Sequence, residues 1–104
     1  MPSKLFILLK SPHEYRDLDA VAALGGDDRV GVLLFEDATL FPALKDRRDE
    51  LIDVADEIYV MGDDLDARGL RSKVGKEFQV IDYPRAVDLI MDEAARTRFA
   101  LRSQ

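Results

Sequence analysis

Residues that could do chemistry or bind a partner follow four short apolar segments. They are Ser11, Pro12 and His13 after the first segment, Glu36 and Asp37 after the second, Asp63 and Asp64 after the third, and Asp82 and Tyr83 after the fourth. If the segments are parallel strands, all four groups lie at one edge of a sheet, where ligands and partners of such sheets usually bind. Carboxylates gathered there could hold a hard cation such as Mg²⁺, or act as acid and base if burial separated their pKa values.

A structural role for these carboxylates is favoured over a metal site. Asp37 and Asp64 fit the position just before a helix, where a carboxylate accepts hydrogen bonds from the free N–H groups of the first turn. His13 is the only histidine, and the sequence offers no cysteine and no Gly-x-Ser-x-Gly segment as a nucleophile beside it. We therefore expect no metal ion, and we expect His13 to be a loop or interface residue.

Arg68 and Gly69 follow a short segment of helical pattern. Gly69 is well placed to end that helix in the left-handed conformation that glycine adopts readily. Arg68 could pair with a carboxylate one turn earlier, such as that of Asp64. Gly25 and Gly26 predict a helix end and match no phosphate-binding fingerprint, so no nucleotide or other cofactor is expected.

The sequence contains no cysteine. Carriage of sulfur as a protein persulfide requires a thiol nucleophile, so this chain cannot be the carrier in such a reaction. Disulfides and thiolate metal sites are excluded for the same reason.

Composition indicates one folded domain over residues 1–104. Hydrophobic residues make up 47% and charged residues 35% of the 104 residues, and the formal net charge is −6. Binding to nucleic acid or to an anionic membrane surface depends on positive potential, so neither is expected as a direct activity. No apolar run approaches the roughly 18 residues of a membrane span, and no targeting segment is visible, so we expect a cytoplasmic protein.

Strand and helix patterns alternate along the chain. Apolar runs at 5–9, 29–35, 57–61 and 78–81 predict strands covered on both faces. Helical faces are predicted between them, comprising Tyr15, Leu18, Val21 and Ala22 in the first helix, Leu40, Phe41, Leu44, Leu51, Ile52 and Ala55 in the second region, and Ala86, Val87, Ile90, Met91 and Ala94 in a helix that begins after Pro84. This alternation predicts a three-layer α/β/α domain with a mainly parallel sheet of about four to five strands.

Four segments in this order resemble a known family. They are KSP at 10–12 after the first strand, VLLFED at 32–37, YVMGDDLDARGL at 59–70, and VIDY at 80–83 followed by a helix that contains VDL at 87–89. Together they resemble the TusB/DsrH branch of the DsrE/DsrF/DsrH-like sulfur-relay proteins. The third segment is the most specific, and the resemblance extends along nearly the whole chain.

The resemblance implies a DsrE-like fold and assembly with sister subunits of the TusC/DsrF and TusD/DsrE types into a hetero-oligomer. In that family the D/E-type subunit holds the main sulfur-accepting cysteine. Some H-type members carry a cysteine on the first helix, where this chain has Val21 and Ala22. The chain then resembles a non-catalytic subunit of a relay that serves 2-thiolation of the tRNA wobble uridine or sulfur oxidation.

Ten residues are candidates for an interface or a site at the sheet edge. They are Ser11, Pro12, His13, Asp37, Asp64, Arg68, Gly69, Asp82, Tyr83 and Phe99. Arg68 could supply positive potential to a partner's thiolate, which needs such an environment to be reactive. Pro12, Tyr83 and Phe99 are candidate apolar anchors.

Two other functions stay open on the sequence alone. One is a homo-oligomeric DsrE-like scaffold or small-molecule-binding protein with no sulfur role. The other is a stand-alone enzyme that uses the carboxylates of the sheet edge with a metal ion, which is the least favoured of the three.

Overall fold

The computed structural model describes residues 4–13, 18–26, 28–97 and 101–102. The strands are β1 (Lys4–Leu8), β2 (Val30–Leu34), β3 (Glu57–Met61), β4 (Phe78–Ile81) and β5 (Leu101–Arg102). The α-helices are α1 (Asp19–Gly25), α2 (Lys45–Val54), α3 (Gly62–Ala67) and α4 (Tyr83–Thr97), and 3₁₀ helices lie at Glu36–Ala43 and Arg71–Lys73.

The strands form one sheet in the order β4-β3-β2-β1-β5, and every neighbouring pair is parallel. The register aligns Phe6 with Val32 and Val32 with Ile58. Apolar side chains of successive strands therefore lie beside one another on the same face of the sheet. The predicted α/β fold with a mainly parallel sheet is confirmed, and the two-residue β5 is the one strand that no predicted segment covers.

One face of the sheet is covered by α1, the 3₁₀ helix Glu36–Ala43, α2 and α3. Val21, Phe41, Leu51 and Leu65 of these elements are fully buried and belong to one cluster with the strand residues of this face. Burial of each such side chain contributes about 1.5–3 kcal/mol, so this layer supplies a large share of the folding free energy.

The opposite face is covered by α4. Ala86 and Leu89 of α4 are buried in a second cluster with Leu33, Tyr59 and Met61 of the strands. Helices therefore lie on both faces of the sheet, which is the three-layer arrangement that the sequence predicts.

The predicted apolar face of α4 is partly wrong. Ala86 is buried and Ile90 is partly buried, but Val87 and Met91 are 53% and 64% exposed. Leu89, which the prediction omits, is buried, and the side chain of Ala94 is outside the described part of the structure. The apolar sector of α4 is thus wider than the sector that the sheet covers.

The remaining helix predictions hold with shifted boundaries. The first helix ends at Gly25 as predicted, and Leu18 and Val21 are buried, but Ala22 is exposed and Tyr15 lies outside the described residues. The helix α4 begins at Tyr83, one residue before Pro84. Proline is tolerated there because the N–H groups of the first turn have no partner within the helix.

The second helical region consists of two helices. The 3₁₀ helix Glu36–Ala43 contains Pro42, and Leu44 then adopts an extended conformation before α2 begins. A proline removes a backbone donor and clashes with the preceding turn of an α-helix, which accounts for the break.

Candidate functional site at the carboxyl edge of the sheet

The junction between β3 and α3 places the acidic segment at the sheet edge. The helix begins at Gly62, immediately after the last residue of the strand, and Gly62 is buried. A Cβ atom at this position would lie 3.1 Å from both Arg71 Nη2 and Val80 Cγ1. Glycine therefore permits the direct turn from strand to helix, and the turn brings Asp63 and Asp64 next to the residues that follow β2.

The carboxylate of Asp64 holds the turn after β2. Its Oδ2 atom accepts a hydrogen bond of 2.7 Å from the backbone N–H of Glu36. Glu36 has a φ angle of +50°, and a residue other than glycine in this region costs about 1–3 kcal/mol. A hydrogen bond to a charged group contributes about 1.5–3 kcal/mol and offsets that cost. Asp64 thus stabilises a strained turn that belongs to another element.

The prediction that Asp37 and Asp64 cap the helices that they begin is therefore wrong. Met61 occupies the position before α3, Phe35 occupies the position before the 3₁₀ helix, and neither helix has a side-chain cap. Both aspartates lie inside their helices, because the helices begin two and three residues earlier than the pattern indicates. Asp64 supports the start of the neighbouring 3₁₀ helix instead of its own helix.

Arg68 pairs with Asp37, whereas the sequence suggested Asp64. Its Nε and Nη2 atoms donate to Asp37 Oδ1 at 3.1 and 2.9 Å. Its Nη1 atom donates to the backbone carbonyl oxygen of Asp64 at 3.3 Å. The Arg68 side chain is 31% exposed, so the ion pair adds little to stability. It does fix the guanidinium across the gap between the two loops.

Gly69 ends α3 as predicted. Its φ angle is +64°, its N–H donates to the carbonyl of Asp66, and the N–H of Leu70 donates to the carbonyl of Leu65. This pair of hydrogen bonds is the Schellman arrangement, in which a left-handed residue reverses the chain after a helix. Gly69 therefore has a structural role at the edge.

Asp82 and Tyr83 lie at the start of α4. The Oδ1 atom of Asp82 accepts a hydrogen bond of 3.1 Å from the N–H of Arg85, which makes Asp82 the N-cap of this helix. The side chain of Tyr83 is 55% exposed. The structure thus gives Asp82 a capping role and leaves the tyrosine ring available to a partner.

The loop after β1 has two buried residues and one exposed residue. Ser11 and Pro12 are buried within the chain, so Pro12 offers little surface to a partner. His13 is exposed and lines a cleft of ≈ 410 Å³ whose other lining residues are Leu44, Lys45, Asp46 and Arg47. Phe99 lies outside the described residues.

The structure brings together four of the ten candidates. Asp37, Asp64, Arg68 and Gly69 lie in the linked loops after β2 and β3. The ten candidates omit Gly62, and they omit Glu36, which the sequence offered only as one of the carboxylates that follow the strands. The position of a glycine directly after an apolar strand was a signal for Gly62, whereas nothing local marks Glu36 as a residue with positive φ.

Local contacts shift the pKa values of Asp66, which follows β3, and of Tyr59, which lies within β3. The pKa of Asp66 lies below its ordinary value because Arg71 donates hydrogen bonds to its carboxylate. Burial, together with a hydrogen bond from its hydroxyl to Glu57, raises the pKa of Tyr59 to about 12. Among residues 4–13, 18–26, 28–97 and 101–102, no three or more His, Asp or Glu side chains are grouped to hold a metal ion.

Among the described residues, every helix is too short or too polar to cross a membrane. The fold and the site therefore define a class of protein: an α/β domain with a parallel sheet, with ion-paired loops after its strands and with no thiol in its sequence.

A family model described as DsrH like protein matches residues 10–95. The chain therefore belongs to the DsrH-like family. The matched region contains nine of the ten candidate residues and stops before Phe99. A search of curated protein sequences finds no match to this chain.

Proposed function

We propose that this protein is a non-catalytic subunit of a cytoplasmic sulfur-relay complex. The observation that carries the proposal is the DsrH-like match over residues 10–95 in a sequence that contains no cysteine. A persulfide carrier needs a thiolate, so in a relay this chain acts through its contacts with subunits that possess one.

The partners in this proposal are one DsrE-like subunit with a sulfur-accepting cysteine and one DsrF-like subunit. The relay serves either 2-thiolation of the tRNA wobble uridine or sulfur oxidation. With a net charge of −6, the chain contributes little attraction for RNA itself. Any RNA substrate is therefore bound by other subunits.

The linked loops at the sheet edge support a role in shaping a partner's site. Arg68 is fixed by Asp37 and by the carbonyl of Asp64, so its guanidinium occupies one defined position. A cation held in place near an interface favours the thiolate form of a neighbouring cysteine. The adjoining Asp37 carboxylate reduces that field, so the expected contribution of Arg68 is modest.

Co-expression tests this proposal. The chain is co-expressed with the DsrE-like and DsrF-like proteins of its host, and the purified assembly is analysed by native mass spectrometry and loaded with radioactive persulfide sulfur. We expect a hetero-oligomer in which the label resides on a partner's cysteine. Removal of this chain should reduce assembly or the rate of sulfur transfer to an acceptor.

A pair of arginine variants sharpens the test. Arg68→Ala should weaken assembly or sulfur transfer severalfold. Arg29→Ala is the matched control, because Arg29 also forms an ion pair on the protein surface, with Glu57 at 3.3 Å, but at the opposite edge of the sheet, where β2 and β3 begin. Equal behaviour of the two variants would remove Arg68 from the proposal. A lone homo-oligomer that ignores both partners would favour a scaffold or small-molecule-binding protein with no sulfur role.

A further inference from the structure

The helix α4 carries an apolar surface that the described part of the chain does not cover. Tyr83, Val87 and Met91 are 55%, 53% and 64% exposed. They are spaced four residues apart, so they form one row along the helix that is about 12 Å long. This row is called the α4 stripe below.

The α4 stripe is separate from the side of α4 that packs on the sheet. Ala86 and Leu89 are buried against the strands, and Ile90 is partly buried there. Helical geometry places Val87 about 100° around the helix from Ala86. Exposed tyrosine and methionine are enriched at protein interfaces, because they offer large adaptable contact areas.

The charges around the α4 stripe decide which occupant fits. Asp88 is exposed and follows Val87 on the outer side of the helix, and the exposed Asp82 lies at the end where Tyr83 begins the stripe. The exposed Arg85 lies about 160° from Val87 and so cannot border the stripe. The described border is therefore acidic, in agreement with the net charge of −6.

A second copy of this chain fits this surface poorly. In a two-fold contact centred on Val87, Tyr83 would meet Met91 of the other copy, but the acidic borders would also be brought together. An anionic membrane surface is disfavoured by the same negative charge.

We propose that the α4 stripe docks a different protein chain, whose contact surface is apolar and bordered by lysine or arginine. This inference rests on the proposed function, since a non-catalytic subunit acts through the surface that holds it in the complex. In that setting Tyr83 and Met91 enter apolar pockets of the partner, and Asp88 faces a basic border.

Site-specific cross-linking tests the proposal, because a sequence without cysteine accepts a unique reactive position. The purified Val87→Cys variant is labelled with benzophenone maleimide, freed of excess reagent, and only then combined with the partner subunits and irradiated, so that the partners' cysteines are not labelled. Leu24→Cys is the matched control, because Leu24 is 47% exposed on α1, which packs on the other face of the sheet. We expect the Val87→Cys variant to cross-link a different chain at an apolar segment flanked by lysine or arginine. The Leu24→Cys variant should give at least tenfold less product.

Binding measurements with charge variants complete the design. Val87→Asp should lower the fraction of assembled chain at least tenfold, and Leu24→Asp should leave it unchanged. Asp88→Lys should slow association and reduce its dependence on salt, since steering by opposite charges acts mainly on the association rate. All three side chains are exposed, so circular dichroism melting curves should match that of the unaltered chain.

The outcomes separate this inference from the proposed function. If the relay complex forms and Val87→Asp assembles normally, or the Val87→Cys variant cross-links a second copy of this chain, the docking inference is wrong and the proposed function stands. If the unaltered chain does not assemble with the relay subunits, the proposed function is wrong. In that case the docking inference survives only if two results are obtained. The label at position 87 must cross-link one host protein at an apolar segment flanked by lysine or arginine, and the label at position 24 must not.

Discussion

The two faces of the sheet are covered to different extents. The first face carries α1, the 3₁₀ helix Glu36–Ala43, α2 and α3, and its buried cluster reaches from Phe6 to Phe78. The second face carries α4, whose outer row of apolar residues stays exposed. A complete layer serves stability, whereas the single helix leaves apolar surface that can serve association.

Strand order explains this difference. Connections between parallel strands of one sheet are right-handed almost without exception. Strands β1 to β4 are added in one direction, so their three connections lie on the same face. The connection from β4 to β5 runs in the opposite direction across the sheet, which places α4 on the other face. The topology therefore assigns one helix to a face that has room for more.

The largest expected effect comes from cavities in the two layers. Leu65→Ala on the first face should lower the free energy of unfolding by about 4 kcal/mol, and Leu89→Ala on the second face by about 2–3 kcal/mol. Both leucines are buried, but α4 has no helical neighbour in the described part of its layer and can shift to close the cavity. Urea denaturation of both variants measures the difference, and equal losses would show that the second face is packed as rigidly as the first.

A smaller effect is expected at the polar anchors of each face. Asp64→Ala removes the acceptor that holds the strained Glu36 turn, and it should cost about 1–2 kcal/mol. Asp82→Ala removes the N-cap of α4 and should cost about 1 kcal/mol. Thermal unfolding of both variants shows which of the two substitutions lowers stability more. Asp63→Ala is the control, since this exposed neighbour of Asp64 should change stability by less than about 0.5 kcal/mol.

Substitutions at Gly69, at the end of α3, test the stability of the first face without creating a cavity. Gly69→Ala should cost about 1 kcal/mol, because φ is +64° at this position and an added Cβ atom meets no neighbour within 4 Å. Gly69→Asn should cost less, since asparagine tolerates the left-handed region better than alanine. Denaturant unfolding measures both changes, and an equal loss for the two residues would point to a cause other than backbone conformation.

The last effect concerns Tyr59 of the second face and is absent at neutral pH. The pKa of Tyr59 is raised from 10.0 to about 12 in the folded protein. As pH rises above 10 the unfolded chain loses the phenolic proton first, so the stability of the fold decreases between about pH 10 and 12. Unfolding free energies measured from pH 8 to 12 should show this decrease. Tyr59→Phe should reduce it, and an unchanged decrease in that variant would show that Tyr59 is not its source.

Local patterns predicted the elements of the fold well, because apolar runs and glycine stops act within a few residues of the chain. The left-handed Gly69 is such a case, since a helix end depends on its own last turn. The predicted caps were wrong where the pattern misjudged a helix start by two or three residues, as at Asp37 and Asp64. An error of this size is enough to move a residue from the predicted capping position to a position inside the helix.

Contacts between loops could not be predicted from the sequence. Glu36 and Asp64 are 28 residues apart, and Asp37 and Arg68 are 31 residues apart. Both pairs meet because β2 and β3 are neighbours and α3 begins without a loop. Helical spacing offered Asp64 as the partner of Arg68, but strand order brought Asp37 closer.

The sequence by itself determined the alternation of strands and helices, the DsrH-like membership and the absence of a thiol. These properties depend on residue types and on spacings within single elements. Only the tertiary structure decided that Asp64 supports the turn at Glu36 and that Val87 and Met91 remain exposed. An apolar helix residue is buried only where another layer covers it, and which layer covers which face follows from the order of the strands.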